Sequence, residues 1–361
     1  MTRMSFFTTI FGKKKGASVL GIDIGSSSLK VVQLRKERGV VVLETYGELA
    51  LGPYGGVEVG QATNLPADTI AKTLTDLIRE ASVTTTDCGV SIPSARSLLA
   101  FVELPRRDNP DEQKTVIELE ARKYIPVPVS EVQLDWFIMP ESENTTRSPN
   151  VSVLLVAVHK DEIKLLENVI TTAGLSATFY EIEIFSAVRA VVDEPAKPVM
   201  IIDIGAGSTK TYVVEQNVIG VSHAIPHGGQ DVTQAIAISS GIDIAHAEQI
   251  KKKTGLTDAG SELREQVEGV FSNIFSEAKR VFSQFESEHH RSVATIVLTG
   301  GGGVTKGLVE YAKRFFSVET RIADPFAKTQ APAFMRPVLK EIGPEFSVAV
   351  GIALRKLEEH S

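Results

Sequence analysis

Apolar residues follow two rhythms along this chain, one short and dense, the other spaced at helical intervals. Val19, Leu20 and Ile22 precede a Gly/Ser-rich stretch, and Val31 and Val32 follow it. The same order returns much later, with Val199, Ile201 and Ile202 before a Gly-rich stretch and Thr211, Val213 and Val214 after it. Each reads as a β-hairpin, because β-branched runs flank residues that turn easily. Residues 40–43 extend the first hairpin by another strand, and the apolar run 151–158 reads as a buried strand. Helical spacing appears in 66–81, where Ile70, Leu74, Leu77, Ile78 and Ala81 share a face and Asn64 and Pro66 mark the start. It appears again from Asn109-Pro110 toward Tyr124, stopped by Pro126, and over 161–173, ended by Gly174. The longest helix spans about 263–288, with Val267, Phe271, Phe275, Val281 and Phe285 among its core-facing stripe. A strand at 295–298 leads into glycines and then a helix beginning near 304–306 and running through Phe316. Alternating strands and helices predict an α/β fold. Residues 141–149 are polar and aperiodic and read as a surface loop; the Pro-rich stretch 324–337 reads as extended chain.

Composition narrows this picture. A length of 361 residues suits two domains or one large two-lobed one, and 43% hydrophobic with 23% charged residues is ordinary for a globular protein. A net charge of −7 argues against broad nucleic-acid binding, which depends on cations meeting phosphate. The single cysteine, Cys88, reads as a small buried hydrophobe. No apolar run approaches the roughly 20 residues that span a bilayer. The N-terminus carries Phe6, Phe7, Ile10 and Phe11 before Lys13, Lys14 and Lys15, the wrong charge order for a signal peptide. Residues 1–16 therefore read as a flexible leader, with a membrane-surface or partner-docking segment as the alternative.

The chemistry lies in an internal echo. Gly21-Ile22-Asp23-Ile24-Gly25-Ser26-Ser27-Ser28-Leu29-Lys30 returns as Ile201-Ile202-Asp203-Ile204-Gly205-Ala206-Gly207-Ser208-Thr209-Lys210, with Asp, Gly, Ser and Lys at an offset of 203 − 23 = 180. Half the chain separates the copies, which predicts two related lobes. Gly and Ser let successive backbone N–H groups approach an anion, and Lys30 supplies a point charge for phosphate. Asp23 and Asp203, each at a strand end, suit the water shell of a Mg²⁺ ion. Two such turns could clamp one metal–nucleotide. A third element, Thr299-Gly300-Gly301-Gly302-Gly303 between a strand and a helix, would let a flat ring or sugar lie on the backbone.

This order of two phosphate turns and a Gly-rich turn resembles the actin, sugar-kinase and heat-shock superfamily over nearly the whole chain. The resemblance implies an actin-like two-lobed α/β fold with duplicated ribonuclease-H-like subdomains and ATP with Mg²⁺ between the lobes. Asp23, Gly25, Ser26, Ser27, Ser28 and Lys30 match the first phosphate motif. Asp203, Gly205, Gly207, Ser208 and Thr209, with Lys210 beside them, match the second, and Gly300, Gly301 and Gly302 the adenosine motif. Gly228 and Gly229 begin a GGxD turn, and Glu248 and Lys251 match the positions that reach ribose and base. Within the superfamily the chain resembles the PilM family of type IV pilus assembly. The segments that carry this are Glu120-Ala121-Arg122-Lys123-Tyr124-Ile125-Pro126, Glu181-Ile182-Glu183-Ile184-Phe185 and Phe11-Gly12-Lys13-Lys14-Lys15. The family implies a cytoplasmic protein peripheral to the inner membrane, docking the cytoplasmic N-terminal tail of a PilN-type membrane protein. Contacts with other pilus platform proteins follow from the same resemblance, and self-association stays open. The expected division is a leader (1–16), a first lobe (17–198) with a small extra subdomain at about 87–180, a second lobe (199–345), and a C-terminal helix (346–361) packing back on the first lobe. The tail would lie around the extra subdomain, with Arg122, Lys123 and Tyr124 nearby.

Glu183 stands where relatives position a hydrolytic water, but Lys210 replaces the histidine of actin and is a poor base near neutral pH. Slow or negligible ATP turnover is expected, with nucleotide as clamp or switch. Three rival readings share the fold. An FtsA-type filament protein would end in a basic amphipathic helix, whereas this chain ends in a polar segment. A small-molecule kinase would need a catalytic Asp beside an acceptor pocket, and a chaperone would need a further peptide-binding domain.

Overall fold

The computed structural model describes residues 18–139, 148–193, 197–216, 218–257 and 260–359. The leader 1–16 and most of the loop expected at 141–149 lie outside them. The first half runs β1 (Ser18–Ile24), β2 (Ser28–Glu37), β3 (Val40–Ala50), α1 (Ala67–Glu80), β4 (Asp87–Ile92), β5 (Ser97–Pro105), α2 (Pro110–Ala121), β6 (Val132–Ile138), β7 (Asn150–His159), α3 (Lys160–Thr172), β8 (Ser176–Ile182) and α4 (Glu183–Val191). The second half runs β9 (Val199–Ile204), β10 (Thr209–Glu215), β11 (Val218–Ile225), α5 (Gly229–Ser240), α6 (Ile244–Thr254), α7 (Ser261–His289), β12 (Thr295–Thr299), α8 (Leu308–Phe316), β13 (Glu319–Ile322), α9 (Arg336–Ile342) and α10 (Ser347–Glu359).

The echo in sequence is an echo in topology. One sheet has the order β3-β2-β1-β4-β8 and another β11-β10-β9-β12-β13. In each, three antiparallel strands carry the hairpin and two parallel strands complete the sheet. Alternation along β9 explains how the second sheet is buried on both faces. Met200, Ile202 and Ile204 join a core with α5, α7 and α8, while Val199 and Ile201 face a larger core shared with the first sheet, α4 and α10. α10 lies directly on β1: a Cβ at Gly21 would sit 2.0 Å from the Ala349 carbonyl oxygen, so only glycine admits this approach.

A third sheet, β5-β7-β6, spans residues 97–159 and has its own core with α2, built on Val102, Leu104, Ile117, Val153 and Leu155. The other elements within 87–180, β4, α3 and β8, belong to the first five-stranded sheet and its core. Two local expectations change. Residues 324–337 are not extended: 3₁₀ turns form at Pro325–Lys328 and Ala333–Met335, and α9 begins at Arg336. Proline's fixed φ suits the start of a helical turn, so the prolines that suggested extended chain instead open these turns. α8 begins at Leu308 rather than near 304–306, because Gly300 and Gly307 take positive φ (78° and 79°) and spend the intervening residues on turns. Cys88 is fully buried, and burial pushes its thiol up to about 12.

Candidate nucleotide cleft

Both hairpin turns open into one cleft of about 960 Å³. The turns are closed alike: the Gly25 N–H donates to the Ser28 carbonyl (3.1 Å), and the Gly205 N–H to the Ser208 carbonyl (3.0 Å). In each hairpin the Asp and Lys are cross-strand partners, Asp23 with Lys30 and Asp203 with Lys210. Strand pairing therefore puts a carboxylate and an ammonium side by side at each turn.

The charges are then tied differently. Lys30 pairs with Glu48 of β3 (3.1 Å), and Lys210 with Glu183 at the start of α4 (3.3 Å). Glu183 is buried, and its Oε1 also accepts from the Ser94 backbone N–H and hydroxyl, both at 2.8 Å. The Ser91 hydroxyl donates to Asp23 Oδ1 (2.9 Å) and accepts from the Ile24 N–H (3.2 Å). Burial raises Asp23 above the ordinary aspartate range against the pull of Lys30, with Glu183 adding repulsion. Burial pushes Asp203 up to about 6, with Glu183 and Asp23 repelling it and Lys210 opposing. Burial alone would lower Lys210, but Glu183, Asp203 and Asp23 outweigh it and hold the ammonium above its usual range.

Glycine at 300 is required by contact as well as by φ, since a Cβ would lie 2.4 Å from Asp203 Oδ1 and 2.5 Å from the Ile204 carbonyl. The Gly302 N–H donates to that same carbonyl (2.8 Å), which presses the turn onto β9. On α6, Glu248 and Lys251 pair at 2.6 Å. The Thr233 hydroxyl donates to Glu248 (2.6 Å), and Lys251 donates to the Gly229 carbonyl (3.0 Å). Burial is the main influence on Lys251 and lowers it; for Glu248, Lys251 and Thr233 overcome burial and lower the carboxyl. This pair is a buried wall of the cleft rather than a solvated ion pair.

Of the residues singled out in the sequence, Asp23, Gly25, Ser26, Ser27, Ser28, Lys30, Glu183, Asp203, Gly205 and Lys210 line the cleft. So do Gly229, Glu248, Lys251, Gly300, Gly301 and Gly302. Gly207, Ser208, Thr209 and Gly228 stand outside its lining. Gly207 faces Ala62 and Gln230, Gly228 packs on the Ala206 carbonyl, and the fully buried Thr209 donates its hydroxyl to the His227 carbonyl (2.8 Å). Sequence reasoning missed Ser91, Ser94 and Glu48. It also missed the loop after β3, where the Thr63 N–H donates to the Ser26 carbonyl (2.8 Å) and the Ala62 N–H to Gln230 Oε1 (3.1 Å). The glycines at 52, 55, 56 and 60 were its signal.

The donor set fits a metal–nucleotide. Among the described residues no group of three or more His, Cys, Asp or Glu is set to grip a metal directly, but Asp23 and Asp203 repel each other across the cleft, which a divalent cation keeping its water shell would relieve. Lys30 and Lys210 flank the turns where phosphate oxygens would meet backbone N–H groups.

The sequence profile of the type IV pilus assembly protein PilM matches residues 21–357. The chain belongs to the PilM family. Among solved structures it is similar to a PilM–PilN type IV pilus biogenesis complex, with a TM-score of 0.79, 24% identity and coverage of 93% of this chain and 98% of that one. MreB5 of Spiroplasma citri bound to AMPPNP superposes with a TM-score of 0.56 at 14% identity, covering 95% of this chain and 98% of that one. Among curated sequences, the cell division protein FtsA of Neisseria meningitidis is 25% identical over 86% of this chain and 84% of its own. FtsA of Pseudomonas aeruginosa is 24% identical over 96% and 91%. The actin-like fold is thus common to this chain and its structural neighbours.

Proposed function

We propose that this PilM-family chain is a scaffold of type IV pilus assembly that holds ATP with Mg²⁺ in the cleft and docks the cytoplasmic tail of a PilN-type membrane protein. The observation that carries the reading is the pair of Asp–Lys turns of matching spacing that face one cleft beside the Gly300–Gly303 turn. Asp23 and Asp203 hold the water shell of Mg²⁺, which neutralises phosphate charge when bound. Lys30 and Lys210 bind phosphate oxygens, and Glu248, Lys251 and Gly300 to Gly302 bound the nucleoside end. Lys210 stands where actin has a histidine and, as an ammonium, is a poor base near neutral pH, so turnover is slow. No helix among the described residues is long and apolar enough to cross a membrane, and association with the inner membrane would run through the partner.

The tail docks on the open face of the three-stranded sheet. Phe101 and Phe137 flank the buried Leu154 as its cross-strand neighbours there, and the two phenylalanines are 39% and 51% exposed. An aromatic row at a sheet face suits alternate side chains of an extended peptide. The similarity to FtsA keeps a filament-forming reading as the alternative. Calorimetric titration with a PilN-type tail peptide, with and without Mg-ATP, tests the proposal. Binding should weaken at least tenfold in Phe101→Asp and Phe137→Asp. Wild-type affinity in both variants would remove the docking site, and nucleotide-dependent pelleting without peptide binding would favour the filament.

A further inference from the structure

The cleft and the small sheet are joined by three side chains in a row. Ser94 begins a three-residue 3₁₀ turn, Ser94–Arg96, between β4 of the first sheet and β5 of the small one. It is therefore one of the two places where the chain crosses into that sheet, the other being β7 to α3. The turn is braced on its own side, since the Ser97 hydroxyl donates to the Ser94 carbonyl (2.9 Å) and Arg96 pairs with Glu162 of α3 (2.6 Å). Toward the cleft, Ser94 gives Glu183 two hydrogen bonds to one oxygen, and the other oxygen takes Lys210. Lys210 belongs to β10, in the other five-stranded sheet and at the second phosphate turn. The row thus spans all three sheets.

Such a row has two arrangements. Without an anion in the cleft, the Lys210 ammonium rests on Glu183. A triphosphate brings oxygens of higher charge to the same ammonium, whose three N–H donors turn toward them and draw it away from its single, long contact with Glu183. As Lys210 turns to phosphate, the Glu183 oxygen it held loses that contact while the other stays bonded to Ser94, so the buried carboxylate shifts with Ser94 as its remaining protein partner. Ser94 is held to β5 by the chain itself, so a shift of the carboxylate moves the entry to the small sheet.

We propose that Ser94, Glu183 and Lys210 form the element that couples nucleotide in the cleft to the conformation of the three-stranded sheet, with Ser94 as a positioning residue acting through Glu183. This rests on the nucleotide reading of the cleft. It does not need the tail-docking reading. Coupling of this kind requires one element that both sites bias, and the row is contiguous from turn to turn.

The chain has one tryptophan, Trp136, on β6 and packed against the small core, so its fluorescence reports on that sheet alone. Full-length protein is titrated with Mg-AMPPNP while Trp136 emission and binding heat are followed on the same sample. The wild type should show a saturable emission change tracking the heat. Ser94→Ala, which keeps only the backbone N–H bond to Glu183, should bind nucleotide within about threefold of wild type yet lose about half of the emission change. Glu183→Gln keeps the shape and an acceptor for Ser94 but has no charge for Lys210, and should also lose the change. Because Ser94→Ala removes a single hydroxyl, its thermal transition should stay cooperative, which separates lost coupling from lost folding. Nucleotide heat with no emission change in the wild type, or with the full change in both variants, would overturn the inference and leave the site assignment standing. No nucleotide heat at all would overturn both.

Discussion

The two hairpins that give the protein its cleft have the same spacing, the same cross-strand Asp–Lys pairing and the same Gly-to-Ser turn bond, yet they are fastened to different neighbours. The first keeps its charged side chains within its own half, Lys30 with Glu48 of the sheet strand β3 and Asp23 with Ser91, while its backbone at β1 lies under α10 of the second half. The second reaches across: Lys210 goes to Glu183 on α4. The chain carries two copies of one turn, and the residues around them fasten the first to Glu48 and Ser91 and the second to Glu183 on α4.

The most severe way to break this comparison is to make the first copy more like the second. Position 21 is glycine where the echo has Ile201, a fully buried core residue. The difference is the neighbour, since α10 approaches β1 so closely that a Cβ would lie 2.0 Å from one backbone oxygen and 2.9 Å from the Ala353 nitrogen. Gly21→Ile should prevent α10 from seating and abolish cooperative folding. Gly21→Ala should cost about 3 kcal/mol or more, as overpacking against backbone cannot relax by a rotamer change. Guanidinium unfolding measures this, and a loss under about 1 kcal/mol would mean that α10 does not lie on β1.

The paired aspartates give the next largest effect. Asp203 is held up at about 6 against an ordinary value of 3.8, so its ionised form opposes folding. The native state keeps this proton better than the unfolded chain, so the stability that protonated Asp203 contributes is fully present below about pH 4 and is lost as pH rises through about 6. Asp203→Asn removes this opposition and should stabilise the nucleotide-free protein at pH 7.5 by about 1–3 kcal/mol, since one pKa unit is about 1.4 kcal/mol. The gain should vanish at pH 4. Asp23 is raised too, but its carboxylate takes the Ser91 hydroxyl, so Asp23→Asn should gain less. Both variants should lose the thermal stabilisation that Mg-ATP gives the wild type. Scanning calorimetry at the two pH values, with and without Mg-ATP, reads all of this. Equal gains for the two variants would mean that Ser91 does not distinguish the copies.

Much of this was legible in the sequence because the echo carries both topology and chemistry. Asp23, Lys30, Asp203 and Lys210 could be placed together from spacing alone, since a hairpin fixes who faces whom. What the sequence hid is what the rest of the chain brings to the hairpins. Ser91 and Ser94 come from β4 and the turn after it, at the far end of a parallel strand pairing that no local pattern announces. The strap of residues after β3 was visible as four glycines but had no partner until Gln230 and Ser26 were beside it. The extra sheet at 97–159 was read as part of a wider stretch because the strands on either side of it, β4 and β8, pair with each other over a gap of more than eighty residues. Prolines 325, 332 and 337 suggested extended chain because a proline's fixed φ suits an extended segment and the start of a helical turn alike.

Thr209 makes the smallest and sharpest test. It matches the second phosphate motif by residue type, yet its counterpart in the first copy is Leu29, since 209 − 29 = 180, and both are fully buried. Alternation along a strand sends such a position away from the turn, and the hydroxyl is spent on the His227 carbonyl at 2.8 Å. Thr209→Val keeps the shape and removes that one hydrogen bond. The carbonyl left behind should cost about 1 kcal/mol of stability. Nucleotide affinity should stay within twofold, whereas Lys210→Met, one residue further along the strand, should weaken it at least tenfold. A tenfold loss of affinity in Thr209→Val would mean that the hydroxyl turns to phosphate when the cleft is filled, and that the second copy departs from the first in which side chains it presents as well as in how it is fastened.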